Sequence, residues 1–146
     1  MVRTAFRLMR HPSDALLVLH MATFIVKAPR LLAKGDLRSV LRGIRQTGRF
    51  FRTNYERIRI MRGICLRFAP LANCNTCYIR ALTLYRYLDA PDDVTAIHLG
   101  IEFQRPGDAG LHGHAWVSVD GKILEGPPEA FEGRIREIRF AGAAQS

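Results

Sequence analysis

This chain of 146 residues has few cysteines, few acids in its first half, and no uninterrupted apolar run of membrane length. Its three cysteines, Cys65, Cys74 and Cys77, are an odd number and a poor disulfide framework. They read as free thiols, which fits a cytoplasmic protein. The longest nearly apolar run, Ala15 to Val26, is interrupted by His20 and Thr23. It falls short of the about 20 residues that cross a bilayer, so no transmembrane segment is expected. The N-terminus shows no apolar stretch followed by a small-residue cleavage site, which argues against export. No repeat appears, no Gly- or Ser-rich linker splits the chain, and no glycine loop has phosphate-binding spacing. With 48% apolar and 24% charged residues, the chain has the composition of one globular domain.

The net charge of +9 is unevenly placed. Residues 1–62 carry 14 Lys and Arg against three acids, and residues 63–146 carry 8 against 10. Such asymmetry suggests that the first region meets something acidic: nucleic acid, an anionic membrane surface or an acidic peptide. Solvated helix faces rich in arginine explain it equally well. Nucleic acid is the weakest of these, because only Phe50, Phe51 and Tyr55 offer a stacking cluster, and the last two have core spacing.

Residues 1–62 read as helical. Ser13 is a candidate N-cap with Asp14 in the first turn, and the helix is expected to run to about Val26 and stop before Pro29. Asp36 can cap a second helix, with Leu37, Val40, Leu41, Ile44 and Phe51 near one face and Arg38, Arg42, Arg45 and Arg49 on another. Asn54 can cap a third, which Pro70 ends. Cys77 to Leu88 returns to helical spacing, with Asn75 as its expected N-cap. Beyond Pro91 the period shortens. Val94 to Phe103 reads as a strand broken by Gly100, then a loop to Gly113, then strands at His114 to Val119, Lys122 to Glu125 and Arg134 to Phe140. Asp120-Gly121 between two such runs is a strong hairpin signal. Helices followed by an antiparallel sheet make an α+β protein.

Cys77, in the first turn of its helix, sits where unpaired N–H groups and the helix dipole favour the thiolate. That suits a nucleophile, although a small apolar residue facing the core has the same spacing. Cys74 and Cys77 form one Cys-x-x-Cys pair, but no second pair completes a zinc site and no βαβ setting supports a redox pair. Among the five histidines, His11 and His20 lie in the basic region, His98 is mid-strand and His112 is in the loop. His114 opens the second strand and is the candidate base for Cys77. A two-residue turn at Asp120-Gly121 would pair Trp116 with Glu125, making Glu125 a same-face diagonal neighbour of His114. Asp120, six residues from His114, can form the turn but cannot orient the imidazole. A bulge would change this register.

The segments Cys77 to Leu84, His98 to Ile101 and His114 to Gly121 together resemble the transglutaminase-like cysteine peptidases of lasso-peptide biosynthesis, the B proteins that remove the leader from a ribosomally made precursor. The likeness covers roughly residues 63–130 and implies a transglutaminase/papain-like core, a catalytic helix packed on a small antiparallel sheet, over residues 63–146. Residues 1–62 would form a basic helical region of the same compact domain. It implies Cys77 as nucleophile and His114 as base, with Glu125 where the family carries Asp and Ser118 where it carries Glu. It also implies an endopeptidase without metal or other cofactor, acting before a separate ATP-dependent cyclase closes the macrolactam. The partners it implies are the precursor peptide, a separate small leader-binding protein and the cyclase. A non-catalytic peptide-binding module, or an acyl or amine transferase of the same fold, are the alternatives.

Overall fold

The computed structural model describes residues 12–33, 36–67, 71, 76–102, 112–126 and 135–141. In these residues the chain runs through four α-helices, α1 (Pro12–Leu32), α2 (Leu37–Thr47), α3 (Tyr55–Leu66) and α4 (Cys77–Tyr87), with a short 3-10 turn at Arg49–Phe51. Four strands follow: β1 (Thr95–Glu102), β2 (His112–Val119), β3 (Lys122–Glu125) and β4 (Ile135–Ala141). The α+β order expected from the changing period is the one found. Packing divides the chain into two units, Met1–Asp89 and Ala90–Ser146.

In the helical unit, local sequence sets the helix starts. Asp36 accepts from Ser39 N at 2.9 Å and Asn54 accepts from Arg57 N at 2.9 Å, each satisfying an orphan donor of its first turn. The hydrogen bond from the Ser39 amide holds the Asp36 carboxyl below its ordinary value. Helix α1 does not stop before Pro29 but runs to Leu32, with Pro29 inside its last turns. An interior proline costs about 3 kcal/mol; here Ile25 and Ala28, both fully buried, flank the site and hold the backbone helical. The helix is therefore longer than its apolar run, and Ser13–Leu32 has the length and hydropathy of a membrane span. One side of it is nevertheless packed inside the unit, through Leu17, Met21, Phe24, Ile25 and Ala28.

Helix α4 lies against α1, α2 and α3, and every residue from Ala81 to Leu88 is buried. Arginines lock it in place. Arg45 of α2 is 1% exposed and donates to Tyr85 O at 2.6 Å and Leu88 O at 3.0 Å, the carbonyls at the end of α4. Arg86 of α4 reciprocates, donating to Ile44 O at 3.1 Å and Thr47 Oγ1 at 2.6 Å at the end of α2. Last-turn carbonyls lack intrahelical donors and carry the negative end of the dipole, so a guanidinium is a fitting partner. Gly48 permits the approach, since a Cβ there would lie 2.3 Å from Arg86 O. Arg45 thus leaves the solvated arginine face assigned to it by spacing, while Arg38, Arg42 and Arg49 remain exposed. Arg62, also buried, donates to Arg80 O at 3.0 Å, and Asp14 pairs with Arg57 between α1 and α3.

The sheet unit has strand order β3-β2-β1-β4, with all neighbours antiparallel. Asp120 and Gly121 both have positive φ, 49° and 74°, the conformation of a type I′ hairpin turn. Gly100 does not break β1; it pairs with His114 on one side and Glu137 on the other. Strand β2 begins at His112, two residues earlier than expected, so His112 is in the strand rather than the loop and His114 is its third residue. The segment joining β1 to β2 lies outside the described residues.

Candidate functional site

Cys77 is the first residue of α4. The N-cap is Thr76 rather than Asn75: its backbone is extended and its hydroxyl accepts from Ile79 N at 3.3 Å. The Thr76 carbonyl accepts from Arg80 N at 3.0 Å, the first bond of the helical ladder, and its hydroxyl satisfies one of the four donors that precede that ladder. Asn75 and Cys74 lie outside the described residues, and with them the Cys-x-x-Cys pair and the metal and redox readings considered for it. Cys77 is exposed although the helix behind it is buried almost throughout. The core-facing alternative for this residue is thereby removed.

Cys65 has the opposite environment. It is fully buried on α3, its thiol donates to Val18 O at 3.4 Å, and burial pushes its pKa up to about 11. At neutral pH such a thiol is almost wholly protonated and is not a nucleophile.

His114 lies on β2 opposite Gly100, half-buried, so β1 places no side chain directly across from the imidazole. By strand alternation His114, Trp116 and Ser118 share one face of β2, and His98, opposite Trp116, shares it too. His98 is 7% exposed; its Nε2 lies 2.6 Å from Ser118 Oγ and its ring stacks parallel to Trp116, centroids 5.4 Å apart. The residues next to His114 on this face are therefore tied by a stack and a hydrogen bond. The sequence reading assigned His98 no partner. The β1–β2 register sets His98 beside Trp116, with Ser118 as its diagonal neighbour, and the Asp120-Gly121 turn does not specify that register.

Glu125 does not occupy the register expected for it. Val119 pairs with Lys122 and Ser118 with Ile123, as the turn dictates, but Val117 then pairs with Glu125 across a β-bulge. Leu124 is the extra residue. Strand β3 is at the sheet edge, where bulges concentrate, and the chain bends immediately: a Cβ on Gly126 would lie 2.7 Å from Ile123 Cγ2. The shift puts Glu125 in register with Val117, on the opposite pleat from His114, and so removes the diagonal pairing inferred from Trp116. Cys77 belongs to the helical unit, and His114 and Glu125 to the sheet unit. Among the described residues, no group of three or more His, Cys, Asp or Glu side chains is arranged to hold a metal ion.

In the helical unit His20 stacks on Phe51, with centroids 4.1 Å apart, and its Nδ1 lies 2.8 Å from Tyr87 Oη. Burial, and then the nearby positive charge of Arg86, lower the His20 pKa, while burial pushes the Tyr87 phenol up to about 12. A neutral imidazole accepting from a protonated phenol fits both shifts, and the pair fastens α1 to the end of α4.

No curated protein and no solved structure matches the chain. The family model of the transglutaminase-like superfamily matches residues 15–135, spanning helices and sheet alike and including both Cys77 and His114. Members of that superfamily are commonly cysteine-dependent enzymes. With an exposed cysteine opening a buried helix and a histidine on the antiparallel sheet after it, this chain belongs to the transglutaminase-like superfamily.

Proposed function

We propose that the chain is a cysteine endopeptidase that removes the leader from a lasso-peptide precursor before a separate cyclase closes the ring. The observation that carries this reading is the contrast between its two described cysteines: Cys65 is sealed and held protonated, while Cys77 is exposed at the N-terminus of a rigidly packed helix. The Cys77 to Leu84 and His114 to Gly121 segments supply the likeness to the leader peptidases.

In the proposed reaction the Cys77 thiol passes its proton to His114, and the sulfur attacks the carbonyl carbon of the leader's last residue. A C–S bond forms, and the carbonyl oxygen takes the negative charge. The backbone N–H groups of Cys77 and Tyr78, which come before the intrahelical ladder begins, suit that oxyanion; a preorganised donor of this kind contributes about 3–4 kcal/mol. Collapse breaks the C–N bond, His114 protonates the departing amine of the core peptide, and the leader remains as a thioester on Cys77. Water, deprotonated by His114, then releases the leader as a carboxylate and restores the thiol. The chemistry requires sulfur and imidazole within hydrogen-bond reach. No orienting role follows for Glu125 from the hairpin, and Glu125→Gln tests it directly. We further propose a separate leader-binding protein, because residues 1–62 read as helices and a leader-recognition domain would carry strands. The exposed arginines of that region, Arg38, Arg42 and Arg49, would then meet that partner, the precursor or the cyclase. Retention of all three by a chain carrying Arg38→Glu, Arg42→Glu and Arg49→Glu, all at exposed positions, would contradict this.

The test is mass spectrometry of the protein incubated with a candidate precursor and a leader-binding partner, beside Cys77→Ala and His114→Ala. A new fragment pair at one peptide bond, present only in the unmodified protein, supports the peptidase. The bulge at Glu125 favours a second reading, a peptide-binding module that does not cut. Precursor retained intact, with Cys77→Ala retaining it equally well, would establish that reading instead.

A further inference from the structure

We propose that the outward face of α1, together with the 3-10 turn at Arg49–Phe51, is a docking surface for an anionic lipid bilayer, with the helix lying in the plane of the membrane. Among the described residues seven large apolar side chains are exposed, and four of them are on this one helix: Leu16, Leu19, Val26 and Leu31, at 56%, 65%, 54% and 40%. At 100° per residue these four fall, with Lys27 and Arg30, on the arc left open by the buried Leu17, Met21, Phe24, Ile25 and Ala28. Apolar residues thus occupy both sides of the helix. The inner side is accounted for by the core of the unit, and most of the residues of Ser13–Leu32 are not buried.

The apolar surface continues onto the 3-10 turn. His20 sits at the edge of the open arc and stacks on Phe51, which brings the turn beside α1. The preceding residue, Phe50, is 94% exposed and is followed by no covering contact from its own turn, none of whose residues is buried. Its neighbour Arg49 is exposed as well.

Charge selects the occupant. The open arc carries Lys27 and Arg30 and no acid, since the one acid of α1, Asp14, is buried and paired with Arg57. A second copy of this chain would bring a like-charged surface, from a region with 14 Lys and Arg against three acids, onto itself. Aliphatic side chains with one projecting phenylalanine, interspersed on the helix arc with two cations and no acid, fit the boundary between acyl chains and anionic headgroups. Because the inner face of α1 is packed, the helix is placed on the membrane and not through it. The surface uses neither Cys77 nor His114, and the proposal does not rest on the peptidase reading.

Co-sedimentation of the full chain with vesicles tests it, comparing phosphatidylcholine alone with an equal mixture of phosphatidylcholine and phosphatidylglycerol. Binding is expected to the mixed vesicles and to weaken by roughly tenfold or more when Lys27→Glu and Arg30→Glu are combined, given about 1 kcal/mol per surface cation. Combined Leu16→Ser, Leu19→Ser and Phe50→Ser should lose binding at low and high salt alike, with circular dichroism unchanged because all three are exposed. Should the apolar variant fold poorly, the charge-reversal variant decides the matter alone. Protein left in the supernatant with both vesicles, or variants that bind as the unmodified chain does, would overturn the proposal. Self-association abolished by Leu16→Ser and Leu19→Ser without any vesicle binding would assign the face to a second copy.

Discussion

The two units hold themselves together by different means. In the helical unit many of the long-range ties are side chains reaching main chain: Arg45 to Tyr85 O and Leu88 O, Arg86 to Ile44 O, Arg62 to Arg80 O and Cys65 to Val18 O. In the sheet unit the ladder does this work, and one tight turn sets the β2–β3 register as far as the bulge. The difference bears on the site. Cys77 is fixed because arginines clamp the far end of its helix, whereas His114 is fixed by its place in a ladder. Disturbing a single buried side chain should therefore cost the first unit more than a comparable change costs the second.

The largest effect is expected for Arg45→Ala, which strips the charged donor from two buried carbonyls and leaves a cavity. About 3 kcal/mol or more should be lost, read as a lower urea midpoint by circular dichroism at 222 nm. The single tryptophan, Trp116, lies in the sheet unit, so its fluorescence in the same titration reports on that unit separately. Two glycines of the helical unit should then move in opposite directions. Gly48→Ala forces a Cβ into Arg86 O and should cost about 2–3 kcal/mol. Gly43→Ala, inside α2 with nothing within 4 Å of the new Cβ, should stabilise by about 0.5–1 kcal/mol. In the sheet unit, Gly121→Ala meets a φ of 74° and should cost about 1 kcal/mol, less than either helical-unit lesion.

The smallest effect is a pH dependence. The His20 pKa is lowered in the folded chain, so the unfolded chain takes up the proton first as pH falls. The stability contributed by neutral His20 is complete above the ordinary histidine value of about 6.5 and is lost as pH drops below it towards the folded value. His20→Phe should flatten that part of the stability profile between mildly acidic and neutral pH. An unchanged profile would mean that the contact with Tyr87 does not depend on protonation.

Much of this architecture was legible because short-range chemistry decides it. Asp36 and Asn54 cap the helices assigned to them, and Asp120-Gly121 makes the turn its composition demands. Three features were not, and each depends on what packs nearby. Pro29 reads as a helix stop, yet buried neighbours carry the helix past it. Arg45 falls on a charged face by spacing alone, and only the presence of the α4 C-terminus makes it a buried donor. The bulge at Leu124 lies on the edge strand, and no alternation pattern announces a single extra residue. For the site, Cys77 at a helix start and His114 on a strand were legible from spacing, and both positions are as expected up to the cap and the strand start. The His98–Ser118 pair was missed because it needs the register of a strand distant in sequence.

The most direct test of the central claim, that Cys77 is the nucleophile, is a search for the acyl-enzyme. The chain is mixed with precursor and leader-binding partner, quenched in acid, and mapped by mass spectrometry. The expected result is a leader fragment joined through a thioester to the peptide containing Cys77, with none on the peptide containing Cys65 and no cleavage by Cys77→Ala. Precursor cleaved without an adduct, at a rate that Cys77→Ala retains, would contradict it.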